Sequence, residues 1–325
     1  MNRFAPLYHA TNNKRTGMGQ FYSNKEFLRG DEVMTAKQKP SRKHHFVPRS
    51  YLAGFTEGGN KDSPFHVVNK RAQYRTATPA SVAYENDLYK IDMPDVAPDY
   101  VEKWIGDNIE GPAMPVIAEI VRAQILPIKN SEAFVSVMIF TAFLYMRHPI
   151  QRNSLDRVTS ALSNLVMDMI LSSKEQYEHI IKEMRDAGHI VPDAKYEKIR
   201  EHSEDDYIIK AHPNFYLEIL FETLTDAARL IAARPWDLYI SENQDFVGSD
   251  CPFCLVSPDG QPVGLGSKRA RIIIPLNRRM ALVSDRTCSG KTLIIDTKAV
   301  DELNQIIYRG AYREIYVADM DKFAK

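Results

Sequence analysis

The chain reads as an α+β protein, with a mixed or antiparallel sheet built from an N-terminal hairpin plus C-terminal strands and covered by a central run of helices. Three observations predict this class. Residues 98–233 repeat apolar side chains at helical spacing with few breaks. After Pro235 the chain divides into short β-branched or aromatic segments, punctuated by Gly, Pro, Asn or Asp. The strand-like content before residue 98 amounts to a hairpin, which is marginal alone and so is expected to join the C-terminal strands in one sheet.

Residues 1–42 show neither helical nor strand periodicity and are rich in Asn, Lys, Arg and Gly, which predicts a flexible basic arm ahead of one folded domain over 43–325. Pro48–Phe55 should form a short helix, stopped by Gly58-Gly59. Strands are expected at Phe65–Asn69 and Asp87–Ile91. A helix over Pro98–Ile109 should kink or end at Gly111-Pro112. Further helices are expected over Ala113–Gln124, from an Asn130-Ser131 cap to Tyr145, and over Gln151–Leu171, Lys174–Ala187 and Asn214–Ala233. Strands then follow at Trp236–Ile240, Phe253–Val256, Arg271–Pro275, Met280–Ser284, Leu293–Asp296 and Glu314–Ala318, with one helix, Lys298–Arg309, among them.

Hydrophobic content of 44% and charged content of 26% are those of a globular chain. The net charge of zero argues against a generally cationic nucleic-acid binder, yet residues 1–50 hold ten Lys/Arg against three Asp/Glu. That arm, about +7, is suited to a polyanion, so nucleic acid is the partner expected through residues 1–50. The longest apolar run, Phe134–Tyr145, is too short to span a bilayer, and no membrane partner is expected. Three cysteines form no secreted-type framework, and the first twenty residues hold no apolar leader, so a cytoplasmic setting is expected.

Four polar constellations could carry chemistry. His44 and His45 follow a basic run and precede Pro48; adjacent residues point to opposite faces, so one imidazole should face a site while the other packs. In Phe246–Phe253 (FVGSDCPF), a strand ends at Gly248 and a turn holds Asp250, a geometry that serves a site or the turn's own backbone equally. Glu102 and Glu110 share a helix, and eight residues of α-helix place them about 80° apart. Arg147-His148-Pro149, with Arg152, stands at a helix joint where guanidinium groups suit phosphate, or an ion pair with Glu102 or Glu110. Two patterns are set aside. Cys251-Pro-Phe-Cys254 has no second pair, and residues 285–292 (DRTCSGKT) lack the first glycine of a phosphate loop and read as a hairpin turn.

Taken in order, these segments resemble a bacterial family catalogued as domain of unknown function 4238. The resemblance runs over about residues 43–318. It rests on His44, His45 and Pro48, the YLAGF segment, Asn86 and Tyr89, and Glu102 and Glu110. It continues through Arg147 and Pro149, Trp236, Ser249-Asp250-Cys251-Pro252, Pro275-Leu276 and Asn304. Cys251 stands where that family more often has asparagine, and residues 1–42 lie outside the resemblance. It implies that the polar segments are the recurrent ones, and recurrent polar residues tend to converge on a site.

The resulting expectation is a metal-dependent phosphodiester hydrolase acting on nucleic acid. His44, His45, Glu110 and Asp250 are its candidate catalytic residues. Arg147, Arg152, Ser249 and Asn304 are the candidates for substrate binding. His45, Glu110 and Asp250 could hold Mg, Mn or Zn. A metal-free variant uses one histidine as general base and Arg147 as phosphate clamp. The alternative is a non-catalytic ligand- or partner-binding sensor module that uses the same polar pocket.

Overall fold

The computed structural model describes residues 42–90, 97, 99–189, 191, 195–200 and 213–323. The basic arm up to residue 41 lies outside them. Chain order begins with β1 (Lys43–His45), α1 (Arg49–Leu52), β2 (Phe65–Asn69), β3 (Tyr74–Ala77) and β4 (Tyr84–Asn86). The helical run comprises α2 (Tyr100–Ile105), α3 (Gly111–Ala123), α4 (Glu132–Met146), α5 (Pro149–Ile170), α6 (Lys174–Asp186), α7 (Tyr196–Arg200) and α8 (Pro213–Ala233). Then come β5 (Asp237–Ser241), β6 (Gly248–Ser249), β7 (Cys254–Val256), β8 (Arg271–Pro275), β9 (Met280–Ser284) and β10 (Thr292–Ile295). The last elements are α9 (Thr297–Gly310), β11 (Glu314–Val317) and α10 (Met320–Phe323).

The class is α+β, as the sequence predicts, but the strands make two sheets and a ribbon rather than one sheet. The hairpin β2–β3 joins β11 and β6 in the order β3-β2-β11-β6, all antiparallel. The second sheet runs β10-β5-β9-β8-β7, antiparallel except for the β10–β5 pair. Strands β1 and β4 form a separate antiparallel ribbon.

The second sheet is covered on both faces, which explains why β9 is buried at every position. Along β8, Ile272 and Ile274 face the helical layer, while Ile273 faces α9 through Val300, Leu303 and Ile307. The helix α4 is apolar on all sides and supplies eight buried residues, so it sits inside the helical layer rather than on it. Ser131 caps it as expected, accepting from Phe134 N.

Three local expectations need correction. The strand expected at Asp87–Ile91 lies at Tyr84–Asn86, because Asp87 takes φ +58° and turns the chain; Ile91 itself is outside the described residues. Residues 285–291 are not a hairpin turn. They wrap around the start of β5, and β10 pairs beyond it; Asp237 Oδ1 accepts from Ser289 N and Lys291 N, so that loop's amides are already bonded to a carboxylate.

The third correction positions the site. Gly111-Pro112 does not end the helix; a π-helical turn, Gly106–Glu110, splices α2 to α3, with Gly111 N donating to Gly106 O. The apolar pattern explains why. Val101, Ile105, Ile109, Ala113 and Ile117 recur every fourth residue and are all buried. In an unbroken α-helix each such step drifts by about 40°, or roughly 160° over four steps. One extra residue in the turn absorbs about 100° of that drift and keeps the row facing the core.

Candidate functional site

The π turn has a second consequence. Glu102 and Glu110, about 80° apart on an ideal helix, are brought back to one side, and both line a cleft of about 290 Å³. His45, Tyr89 and Arg147 complete its inner wall; Arg49, Ser50 and Lys61 also line it.

The strand β1 sorts the two histidines. His44 is buried, its Nδ1 accepts from Tyr89 N at 2.8 Å, and its ring stacks on Tyr89. Its Nε2 lies 3.7 Å from Glu102 Oε2, behind the cleft wall. His45 points the other way, into the cleft, with Nε2 buried and without a hydrogen-bond partner. Burial, then the cation of Arg49, push its pKa down to about 4, against a backbone hydrogen bond at Ala80. His45 is therefore neutral at pH 7, with an unpartnered ring nitrogen on a residue that lines the cleft.

Arg147 ends α4 and is fully buried. Its Nε donates to Phe46 O at 2.6 Å, its Nη1 to Glu110 Oε1 at 2.8 Å, and its plane lies over the Phe143 ring. Its Nη2 is buried and has no partner. Tyr89 Oη is in the same condition, and burial keeps that phenol protonated. Burial, then the neighbouring carboxylates Glu110 and Asp99, push Glu102 up to about 7. The cleft thus combines a fixed cation, a phenol donor, a neutral imidazole and a carboxyl group that titrates near neutrality.

The remaining expected residues lie elsewhere. Asp250 is buried, but its carboxylate is taken up by three backbone amides: Tyr312 N to Oδ1, and Arg313 N and Glu314 N to Oδ2. Burial pushes its pKa up to about 6 against those bonds. Ser249 Oγ accepts from Cys251 N within the same turn. Asn304 bridges Val247 N and Asp245 O. Arg152 lies over the Tyr216 ring. None of these four lines the cleft. The metal set His45, Glu110 and Asp250 is accordingly not assembled, and among the described residues no group of three His, Cys, Asp or Glu side chains is arranged to hold an ion. These residues do not fit the expected metal. Cys251 and Cys254 are free thiols; burial pushes Cys251 up to about 12 and Cys254 well above the ordinary thiol value, which leaves them unreactive.

The turn at Asp250 and the cleft are nonetheless mechanically linked. His148 caps α5, accepting from Ile150 N at Nδ1, so its Nε2–H is the donor to Asp250 O at 3.0 Å. Adjacent residues at the α4–α5 joint therefore clamp two different places: Arg147 the cleft and His148 the Asp250 turn. Of the cleft residues, Tyr89 and Glu102, like Arg49, Ser50 and Lys61 at its rim, stand outside the expected site set. Tyr89 carried a signal only through the resemblance, and Glu102 was visible as one of two helical carboxylates.

The class defined by this fold and site is an α+β protein whose helical layer presents a buried arginine and a neutral-range carboxyl group to one small cleft. The chain belongs to the family described as Protein of unknown function (DUF4238), whose model matches residues 43–321. No curated protein and no solved structure matches the chain.

Proposed function

We propose that the cleft binds and hydrolyses a phosphodiester, as found in nucleic acid, using acid–base chemistry between its own side chains. One observation carries this reading: Arg147 Nη2, Tyr89 Oη and His45 Nε2 are buried, lack hydrogen-bond partners, and belong to residues lining the same cleft. An unmet buried polar group costs about 1–3 kcal/mol, and more when charged, so three together are suited to a ligand that satisfies them.

In this reading Arg147 and Tyr89 donate to the non-bridging oxygens, and the guanidinium offsets the charge that develops there. Glu102 is the general base, because a carboxyl group near 7 is matched to the working pH while an imidazole near 4 is a poor proton store. His45 accepts a hydrogen bond from the attacking water and orients it. As water adds to phosphorus its proton passes to Glu102, the bond to the leaving oxygen breaks, and that oxygen takes a proton from solvent at the open side. Arg49 and Lys61 extend the positive lining, and the basic run of residues 1–42 leads into β1 beside it. A cytoplasmic setting fits the three unpaired thiols.

The test is cleavage of bis(p-nitrophenyl) phosphate and of a single-stranded oligonucleotide in the presence of EDTA. Turnover should persist with chelator, rise with pH and level off above about 7 as Glu102 ionises, and fall at least a hundredfold in Glu102→Gln. Binding in the cleft without turnover would instead support the sensor module, since the fixed guanidinium recognises an anion without Glu102. Loss of turnover in EDTA would return the account to metal-assisted hydrolysis.

A further inference from the structure

The helix α5 is 22 residues long and buries only its first residue, Pro149. Helices in proteins are held chiefly by the packing of an apolar face, so a helix of this length without one is incomplete. Its apolar residues are not scattered. Leu155, Val158, Leu162, Leu165 and Met169 follow one another at spacings of three, four, three and four. That is the 3.5-residue period of a coiled-coil seam, in which each side chain enters a hole on a facing helix. Leu155 packs on the molecular core, while Val158, Leu162, Leu165 and Met169 are each more than half exposed. Val166 flanks the seam and is also more than half exposed. The seam-edge positions Ser154, Thr159 and Ala161 are small and uncharged, so a second backbone can approach there; Asp168, beside Met169, is the charged seam-edge residue and stands toward the far end of the seam.

We infer that this face of α5 is a self-association seam, covered by α5 of a second copy of the chain in an isologous dimer. Two features favour a second copy. The seam core is self-complementary and apolar from Leu155 to Met169, with its edge charge confined to Asp168 near one end. Covering it on both copies removes on the order of 1,000 Å² from water, about the minimum for a specific interface, which sets the expected dimer in the micromolar range. The joint between α4 and α5 bends by 56°, which directs α5 away from the line of the buried α4.

Sedimentation equilibrium of the full chain at tens of micromolar tests this directly. The wild type should show twice the 37.1 kDa chain mass. Leu162→Glu with Leu165→Glu should sediment as a monomer while keeping its far-ultraviolet circular dichroism, because both positions are exposed in one copy. Should that pair fail to fold, Leu162→Cys supplies a second reading, as a thiol cross-linker should join two copies through it. A monomeric wild type, a dimer that survives the paired glutamates, or no cross-link at Leu162→Cys in a dimeric sample would each overturn the proposal.

Discussion

Replacing Arg147 with methionine keeps an apolar stem over Phe143 but leaves Glu110 and Phe46 O without their donor. Breaking a buried ion pair from one side commonly costs 3–5 kcal/mol; with Glu110 partly exposed, about 2–4 kcal/mol is expected, read as a fall in the denaturant midpoint. Arg147→Lys should cost less stability yet abolish anion binding in the cleft. A single ammonium cannot reach Phe46 O and Glu110 and still present a donor to a ligand. If the lysine variant binds phosphate diesters as the wild type does, the fork geometry is irrelevant. The two histidines show what residue-level reading can and cannot supply. Alternation along a strand separates His44 from His45 before any coordinates are known. That Tyr89 stacks on His44 depends on the αL turn at Asp87, which local sequence signals only weakly.

The cleft depends on the helical phase that the π turn keeps. Deleting Asp107, an exposed residue within it, leaves Glu102 and Glu110 seven residues apart, about 20° from alignment on a regular α-helix, so it should close the turn while keeping both carboxyl groups on one side. The deletion should therefore retain binding of phosphate diesters. Inserting one alanine after Asp107 should instead turn Glu102 away from Glu110 by about 100°, take Val101 and Ile105 out of the core row, lower the melting temperature and remove that binding. Unchanged binding in the insertion variant would show that helical phase does not set the site. This turn was legible in part. The run of fours from Val101 to Ile117 demands a correction to helical phase, but Gly111-Pro112 advertises a break instead. Most helices and the β8 and β9 strands lie where periodicity puts them. Strands β1 and β3 were missed because they are short and, in β3, mostly exposed, so no apolar alternation marks them, whereas a strand ending at Gly248 was read and the short β6 lies there. Asp250 is ambiguous for a different reason. A buried carboxylate in a Gly-Ser-Asp turn looks the same in sequence whether it serves a ligand or, as here, accepts from the amides of Tyr312, Arg313 and Glu314 where the chain enters β11.

At the scale of the whole molecule, the cleft should be visible in how stability depends on pH. Glu102 holds its proton up to about 7 when folded, whereas an ordinary glutamate releases it near 4.5. Between those values the folded state binds more protons, so this residue's contribution is fully present below about 4.5 and is lost as pH rises through 7. With allowance for its solvent-facing side the effect is roughly 1–2 kcal/mol. Glu102→Gln should therefore flatten the decline and be the more stable protein above pH 7; equal slopes from urea unfolding of both proteins would remove the raised pKa from the account.

The central claim is that unpartnered atoms of Arg147 and Tyr89 meet a phosphate. A crystal structure of Glu102→Gln with an uncleaved dinucleotide tests it most directly. The account predicts a non-bridging phosphate oxygen within hydrogen-bond distance of Arg147 Nη2 and Tyr89 Oη, with His45 Nε2 facing the attack side of phosphorus. A dinucleotide bound elsewhere, with those three atoms still unpartnered, would contradict it.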